Sequence, residues 1–463
     1  MKRGKNQKHA VRRSTAVDGI PAIRTCVAGI DLGSEEHFVC APALDGNGRE
    51  LTSFGATTPE LMAMCEWLKA RKVEAVAMES TGVYWIAPHE VLEEAGFEVL
   101  LADARHMAGV AARDKKSDPT DCEWIQKLYS VGMLKGAFRP AEQVCMLRTL
   151  VRDKATLVAE ASDWIRRMQK SLDQMNVRVH RAVSDLDGVT GMAILRAIVD
   201  GQRDPFKLAK LRDPRCRKSE EEIAEQLSGH WRQDHLFSLS RALEMYDQIQ
   251  RQMEAYDREI LRQLGAMQRP DHDDPTAPLD NASKQRKIEK HGQEPLRQAL
   301  YGVSGMDLAR IDAIGVDTVL TLISEHGVDL SSFPNEGKFV QYLRLAPSKP
   351  TSGGKPVKKK KRTMTSTRVA AALRMAAQSM RNSPTALGAY YRSVARRKDG
   401  DVAIFATARK LAQYVYRALR YGQCYVDIGA QAWEQQYQER RLAHLKSSAK
   451  DLGYELVPTE ACA

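Results

Sequence analysis

Apolar residues over the first hundred positions fall into short runs that suit strands, separated by stretches with helical spacing. Arg24–Gly33 is an apolar run closing on Gly, His37–Leu44 follows after a tight connection, and Glu50–Ala56 reads as a third strand of an antiparallel meander. Leu61, Met64, Cys65 and Leu68 recur at three- and four-residue intervals and predict a helix over Thr58–Arg71. A strand Val73–Met78, a helix Val83–Ala95 stopped by Gly96, and a strand Phe97–Ala102 follow. Farther on, Leu147, Val151, Lys154, Val158, Ala161, Ile165, Met168, Leu172 and Met175 step by four and three, a coiled-coil seam whose only polar member is Lys154. A second long helix, Leu239 to Met267, keeps a mean spacing of 3.5 through Leu243, Tyr246, Ile249, Met253, Tyr256, Ile260 and Leu264. The two helices pair either as an antiparallel hairpin in one chain or between chains. At least some pairing between chains is expected, because a bare hairpin leaves apolar edge in water.

Three hairpin strands, then helix, strand, helix, strand, is the element order of a ribonuclease H-like α/β layer fold. The expected class is therefore α/β plus α: an N-terminal mixed sheet with helices, a central coiled-coil helical arm, and a mainly helical C-terminal domain. Boundaries are expected at 1–23 (a basic arm), 24–145 (the sheet domain), 146–300 (helical arm with insert and linker), 301–430 (the C-terminal domain) and 431–463 (a charged helical tail). Within the arm, Asp187–Ser228 reads as a small helical insert, and Gln268–Asn281 has the Pro and Asp density of a flexible linker. Ile311–Leu320 resembles the turn of a helix–hairpin–helix, in which Gly315 permits the tight turn and the next helix offers amides to a phosphate; an ordinary packing turn fits equally. Gly188–Ile198 is a faint echo of it. Helices Val369–Met380 and Asp401–Arg420 close the C-terminal domain.

Charge changes the picture. The net charge is +11, yet Gly337–Lys398 contains sixteen Lys or Arg and no Asp or Glu, so the rest of the chain is net acidic. Positive charge packed into one stretch points to a polyanion there. The eight cysteines form no C-x-x-C pair and fit no zinc spacing, which suits a reducing cytosol. The basic start (Lys2, Arg3, Lys5, Lys8, Arg12, Arg13) has no apolar stretch behind it, so it is not read as a secretory signal; no run is long enough to span a membrane.

Candidate chemistry sits at both ends of this charge map. Asp31 interrupts an apolar strand, and Glu79 closes the strand Val73–Met78. Asp118 and Asp121 lie three apart, which places both on one helix face; Asp118-Pro119 with Asp121 is also an ordinary helix start. Asp, Glu, Asp, Asp on such a sheet would form an oxygen-rich site for one or two Mg²⁺ (or Mn²⁺) ions. Ser352, in Thr351-Ser352-Gly353-Gly354-Lys355, opens into Lys358, Lys359, Lys360, Lys361 and Arg362. Those cations, with Lys355, are candidate contacts to a nucleic-acid backbone, and a serine hydroxyl set among bound phosphates is a candidate nucleophile.

Ile30-Asp31-Leu32-Gly33, Met78-Glu79-Ser80-Thr81-Gly82-Val83-Tyr84-Trp85, Lys116-Ser117-Asp118-Pro119-Thr120-Asp121 and Thr351–Lys355 resemble the motifs of the insertion-sequence-110 family of transposases. The resemblance covers residues 24 to about 130 and about 300 to 425. It implies a RuvC-like DEDD domain joined through a coiled coil to a C-terminal domain with a catalytic serine. It further implies a cytoplasmic DNA recombinase, guided by a structured RNA from the element's non-coding end and assembled as a homodimer or homotetramer. Carried over, Asp31, Glu79, Asp118 and Asp121 are the metal ligands, and Ser352 is the covalent nucleophile, completing its site with the DEDD domain of another protomer. Arg368 and Arg374 match basic helix positions that hold nucleic acid. This sequence departs from the family pattern in having Ser366-Thr367 for the common Gly-Asn, Cys122 for the usual Ala, and an added basic arm. Two other readings compete. One is a metal-dependent Holliday-junction-type nuclease in which Ser352 is a mere loop residue; the other is a non-catalytic nucleic-acid-binding scaffold.

Overall fold

The computed structural model describes residues 10–12, 21–46, 48–80, 82–103, 118–269, 276–347, 351–352, 355–356 and 367–457. The chain divides into two compact units, Met1–Arg139 and Pro140–Ala463.

The first unit is built on one mixed sheet. Its strands are β1 (Ala10–Arg12), β2 (Val27–Leu32), β3 (Glu36–Pro42), β4 (Arg49–Gly55), β5 (Ala75–Glu79) and β6 (Glu98–Ala102), in the order β1-β4-β3-β2-β5-β6. The meander is antiparallel, whereas β5 and β6 run parallel to β2. Parallel neighbours need crossovers, supplied by α1 (Thr58–Ala70) and α2 (Ile86–Glu94). Three residues of the N-terminal arm extend the sheet edge, with Ala10 opposite Leu51.

Side-chain alternation separates the two sheet faces. Ala28 and Ile30 of β2 and Val76 and Met78 of β5 pack with Leu61, Met64, Leu68 and Leu92 of α1 and α2. Val27, Ala75 and Ala77 face the other way, against Ile125 and Tyr129 of α3 (Asp118–Ser130). β2 starts at Val27, not Arg24, because Arg24 is held to α3: its backbone N–H donates to the Ser130 carbonyl, and its guanidinium reaches Tyr129 (3.0 Å) and Glu98 (2.7 Å). Likewise α2 starts at Ile86, three residues later than the spacing predicts, since Gly82 adopts the left-handed φ of +63° and Val83–Trp85 form a turn.

The second unit starts from two long helices, α4 (Glu142–Gln174) and α9 (Gln233–Ala266), packed along each other within the one chain. They run antiparallel: Lys154, near the start of α4, pairs with Asp257, near the end of α9. The polar member of the seam therefore has its counter-charge on the facing helix. The apolar edge of the hairpin is covered by the chain's own insert, α5 (Val179–Ala182), α6 (Val189–Val199), α7 (Pro205–Ala209) and α8 (Glu220–Leu227). Ile194, Leu195, Ile198, Leu208, Ile223 and Leu227 are buried with Met168, Leu172, Leu239 and Leu243. The part of the seam from Ala161 to Met175 and from Leu236 to Ile249 therefore has a cover within the chain. The seam is also less regular than its spacing suggests, for Val158 is 48% exposed.

The remainder is helical: α10 (Ala282–Lys290), α11 (Glu294–Ser304), α12 (Val316–His326), α13 (Glu336–Tyr342), α14 (Arg368–Ser379), α15 (Ala386–Arg397), α16 (Gly400–Tyr421) and α17 (Ala430–Asp451). Between α13 and α14 a short hairpin pairs β7 (Thr351–Ser352) with β8 (Lys355–Pro356), Ser352 opposite Lys355. The base of α4 is tied to α12, where Arg152 makes two bonds of 2.8 and 2.7 Å to Glu325 and Arg148 reaches the Glu325 carbonyl at 2.6 Å. His326 is buried against the Phe339 and Tyr342 rings, and burial drives its pKa down to about 4.

One expectation is corrected here. In the Ile311–Leu320 turn the left-handed residue is Ala313 (φ +63°); Gly315 sits at φ −82° with open space where a Cβ would lie. Residues 270–275 of the expected linker Gln268–Asn281 lie outside the described residues, and its described ends are tied to the helices around them. Arg269 N–H donates to the Gly302 carbonyl, Leu279 is buried, and the Ala277 carbonyl accepts from Arg297 at 2.7 Å. The echo at Gly188 has structural substance. Gly188 and Gly315 precede eleven-residue helices with nearly the same backbone, φ −73° and ψ 168° against φ −82° and ψ 168°.

Candidate active site

Asp31 and Glu79 lie at the C-terminal ends of adjacent parallel strands. The register pairs Ile30 with Met78, so the next rung brings residue 31 beside residue 79. Ile30 and Met78 belong to the α1/α2 face, which turns Asp31 and Glu79 to the α3 face. Both carboxylates are half-buried. The ends of parallel strands are where open α/β sheets form their functional crevices.

What fixes α3 over this face is Gly29, two residues before Asp31. A Cβ there would stand 2.3 Å from the Gln126 amide nitrogen and 2.4 Å from the Cys122 carbonyl oxygen, so the helix backbone rests directly on the strand. Gln126, 4% exposed, locks the contact: its Nε2 donates to the Val27 carbonyl at 2.9 Å, and its Oε1 lies 3.2 Å from the Cys40 sulfur. Gln126 sits over Val27 and Gly29, and Cys122 sits over Gly29. The helix thus runs against the strand direction, and its first turn, with Asp118 and Asp121, lies toward the Asp31 end. Asp121 is buried at 7% exposure. Burial, then neighbouring Cys40, Glu123 and Asp31, pushes the Cys122 thiol well above its ordinary range; burial raises Cys40 to about 12. These thiols are packing groups here, not thiolate ligands.

Asp31, Glu79 and the α3 turn that carries Asp121 are thus brought to one face and one end of the sheet. Among the described residues no three His, Cys, Asp or Glu side chains could hold one metal ion, and the Asp118 side chain lies outside those residues. Beside Glu79, the Ser80 N–H donates to the Ala102 carbonyl, and the following turn leaves Val83 and Tyr84 exposed. Trp85 is anchored instead, under the Arg139 guanidinium, which also donates to His89 (2.9 Å) and Glu93 (3.0 Å). Gly29, Gln126 and Arg139 were not singled out from the sequence. Gly29 had a signal, since an isolated Gly inside an apolar strand marks a close backbone approach.

In the second unit, Ser352 and Lys355 are known by backbone pairing alone, and Lys358, Lys359, Lys360, Lys361 and Arg362 lie outside the described residues. Arg368 opens α14 half exposed, 3.9 Å from Glu325. Arg374 lies over the Phe405 ring at 5.2 Å. Among the described residues no helix is long and apolar enough to cross a membrane.

Comparison with protein families accounts for both halves of this arrangement. The DEDD transposase profile of the IS110 family, described as "Transposase", matches residues 28–177, which include Asp31, Glu79, Asp118 and Asp121. A second profile, "Transposase IS116/IS110/IS902 family", matches residues 305–392, which include Ser352, Arg368 and Arg374. A search of curated proteins gives no match. With both profiles present in order along one polypeptide, over a sheet whose strand ends carry the acidic residues, this chain belongs to the IS110 family of transposases.

Proposed function

We propose that this transposase cuts and rejoins DNA through the Ser352 hydroxyl, assisted by Asp31, Glu79, Asp118 and Asp121, and that a structured non-coding RNA selects the DNA. The observation that carries the reading is the juxtaposition of Asp31 and Glu79 beneath the first turn of α3. Carboxylates gathered at a protein surface repel one another and need a cation, and an all-oxygen donor set suits Mg²⁺ or Mn²⁺ rather than zinc. Asp31, Glu79, Asp118 and Asp121 would hold such an ion, which when bound supplies charge stabilisation at a phosphoryl oxygen.

Ser352 Oγ forms a bond to phosphorus as the bond to one nucleotide oxygen breaks; the proton lost by the serine is balanced by one gained on the departing hydroxyl. The count of phosphoester bonds is unchanged, so rejoining needs no nucleotide triphosphate. Lys355, Lys358, Lys359, Lys360, Lys361, Arg362, Arg368 and Arg374 neutralise the backbone around the scissile phosphate. The protein acts in the bacterial cytosol as a homodimer or homotetramer. The proposed partners are the element ends, the target DNA and the guide RNA.

The test is a nicked DNA substrate that traps a covalent intermediate. A denaturant-resistant protein–DNA adduct that vanishes in Ser352→Ala and in Asp31→Asn supports the serine mechanism. Adduct-free cleavage that survives Ser352→Ala overturns it in favour of the nuclease reading. Strand exchange unaffected by Asp31→Asn and Glu79→Gln overturns the role of the carboxylates.

A further inference from the structure

Helix α17 lies beyond both matched family segments. It is 22 residues long and buries none of its side chains. A mostly polar helix of this kind is marginal in water by itself. One edge of it, however, is specifically built. Trp433, Tyr437, Arg440, Arg441 and His444 recur at i, i+4, i+7, i+8 and i+11, which puts two rings and two guanidinium groups on one face. Trp433 and Tyr437 stack with their planes 7° apart, Trp433 meets Tyr390 of α15 edge-on at 6.0 Å, and the Arg397 guanidinium lies 5.4 Å from the Tyr437 ring. Between α15, α16 and α17 this leaves a cleft of about 580 Å³.

The charge in that cleft is one-sided. Arg397, Lys410, Arg440 and Arg441 line it, and its lining among the described residues contains no Asp or Glu. Native surfaces ordinarily mix signs, so four convergent cations carry a repulsion that an outside anion relieves. Burial lowers the Lys410 pKa, and Arg417, Arg409 and Arg440 lower it further against the opposing pull of Glu336. The rings argue for what the anion is attached to. Cations interleaved with aromatic side chains are the ordinary dress of surfaces that grip an unpaired nucleic-acid strand, the cations following phosphates and the rings packing against bases or sugars. A duplex keeps its base faces hidden and offers the rings nothing.

We propose that the α15–α16–α17 cleft binds an unpaired stretch of nucleic acid, DNA or RNA, as a site separate from the lysine-rich segment after Ser352. The inference rests on the reading of this chain as a nucleic-acid enzyme and deepens it.

The test uses the full-length protein and fluorescence anisotropy with three labelled probes of roughly 20 nucleotides, longer than typical single-strand sites. They are single-stranded DNA, RNA of the same sequence, and the DNA duplex. Two cleft variants, Arg440→Gln with Arg441→Gln on α17 and Lys410→Gln on the facing wall, are compared with wild type across salt, beside a control with Lys358–Arg362 replaced by glutamine. Each phosphate contact contributes about 0.7 to the slope of log K against log salt for single strands. The double variant should therefore flatten that slope by about 1.4, a loss of about 25-fold at 0.1 M salt when referred to 1 M. Lys410→Gln should flatten it by about half as much, with helix content by circular dichroism unchanged in both. Such a loss on either unpaired probe, with duplex binding retained, supports the cleft. Unchanged slopes in both variants, or a loss confined to the duplex, overturn it. If wild type binds while only glutamine replacement of Lys358–Arg362 weakens the complex, the cleft is refuted and the proposed function stands. If wild type binds no probe, both fall together.

Discussion

Gly29→Ala tests the contact on which the proposed active-site geometry depends. The added methyl would lie 2.3 Å from the Gln126 nitrogen and 2.4 Å from the Cys122 oxygen, both backbone atoms of α3. Ordinary van der Waals contact begins near 3.4 Å, so strand and helix must part by roughly 1 Å; no rotamer change relieves a backbone clash. Overpacking of this size costs about 1–3 kcal/mol. The same displacement moves Asp121 relative to Asp31 and Glu79, and a misplacement of about 1 Å at reacting groups can cost on the order of 100-fold in rate. The assay is urea unfolding followed by tryptophan fluorescence, paired with the rate of DNA strand cleavage under conditions where the variant remains folded. Gly315→Ala is the control. It has φ −82° and open space where its Cβ would lie; the lower entropy of unfolded Ala is opposed by its poorer capping at the N-cap of α12, so replacement should change stability by less than about 1 kcal/mol in either direction. A Gly29→Ala protein with the wild-type midpoint and wild-type rate would refute the direct seating of α3 on β2, and with it the argument that this seating aligns the carboxylates.

Three further outcomes follow from buried or paired groups. His326 has its pKa lowered from 6.5 to about 4 by burial, so between those values the unfolded chain binds a proton that the folded chain refuses. Stability should be full above pH 6.5 and fall as pH drops toward 4, by up to about 3 kcal/mol, and His326→Phe should flatten that slope in denaturant titrations across pH. Asp257→Ala leaves Lys154 without its counter-charge in the helix seam. The pair is partly solvent-exposed, so the loss should be only about 0.5–1 kcal/mol by thermal melting, and adding Lys154→Leu should recover it. Iodoacetamide at pH 8 should label the exposed Cys424 in the native protein while sparing Cys40, Cys65 and Cys122, which are buried; mass mapping of equal labelling at all four would contradict the packing of α3 on the sheet.

Legibility in the sequence followed the range of the interactions involved. Asp31 stood out because a carboxylate within an apolar strand demands a local reason, and strand alternation alone sends it to the face opposite Ile30. The sheet strands and the helices from Val369 and Asp401 were likewise written in nearest-neighbour periodicity, and their ends differ by a few residues. The shifted ends have tertiary causes. Arg24 leaves the first strand to meet Glu98, more than seventy residues away. Lys154 looked like a flaw in the seam because its partner, Asp257, is about a hundred residues distant. Part of the seam's apolar edge is covered by the insert between the same two helices, a contact that helical periodicity does not encode.

Net charge shows the same division. A window without acid over Gly337–Lys398 was plain from composition, and it was read as one linear segment centred on the lysine run. Folding redistributes it. Arg374 lies over Phe405 and Arg368 stands 3.9 Å from Glu325, so the fold spreads the window's charge over separate packing contacts. Arg397, from the end of the same window, joins Lys410, Arg440 and Arg441, which lie outside it, to line a cleft with no carboxylate. Linear counting splits that group of four across a boundary and dilutes three of them among the acids that follow the window. Only the packing of α15, α16 and α17 restores them to one surface. A polyanion is therefore expected at two places, the segment that carries Ser352 and the ringed cleft, and the salt slope of each can be removed independently of the other.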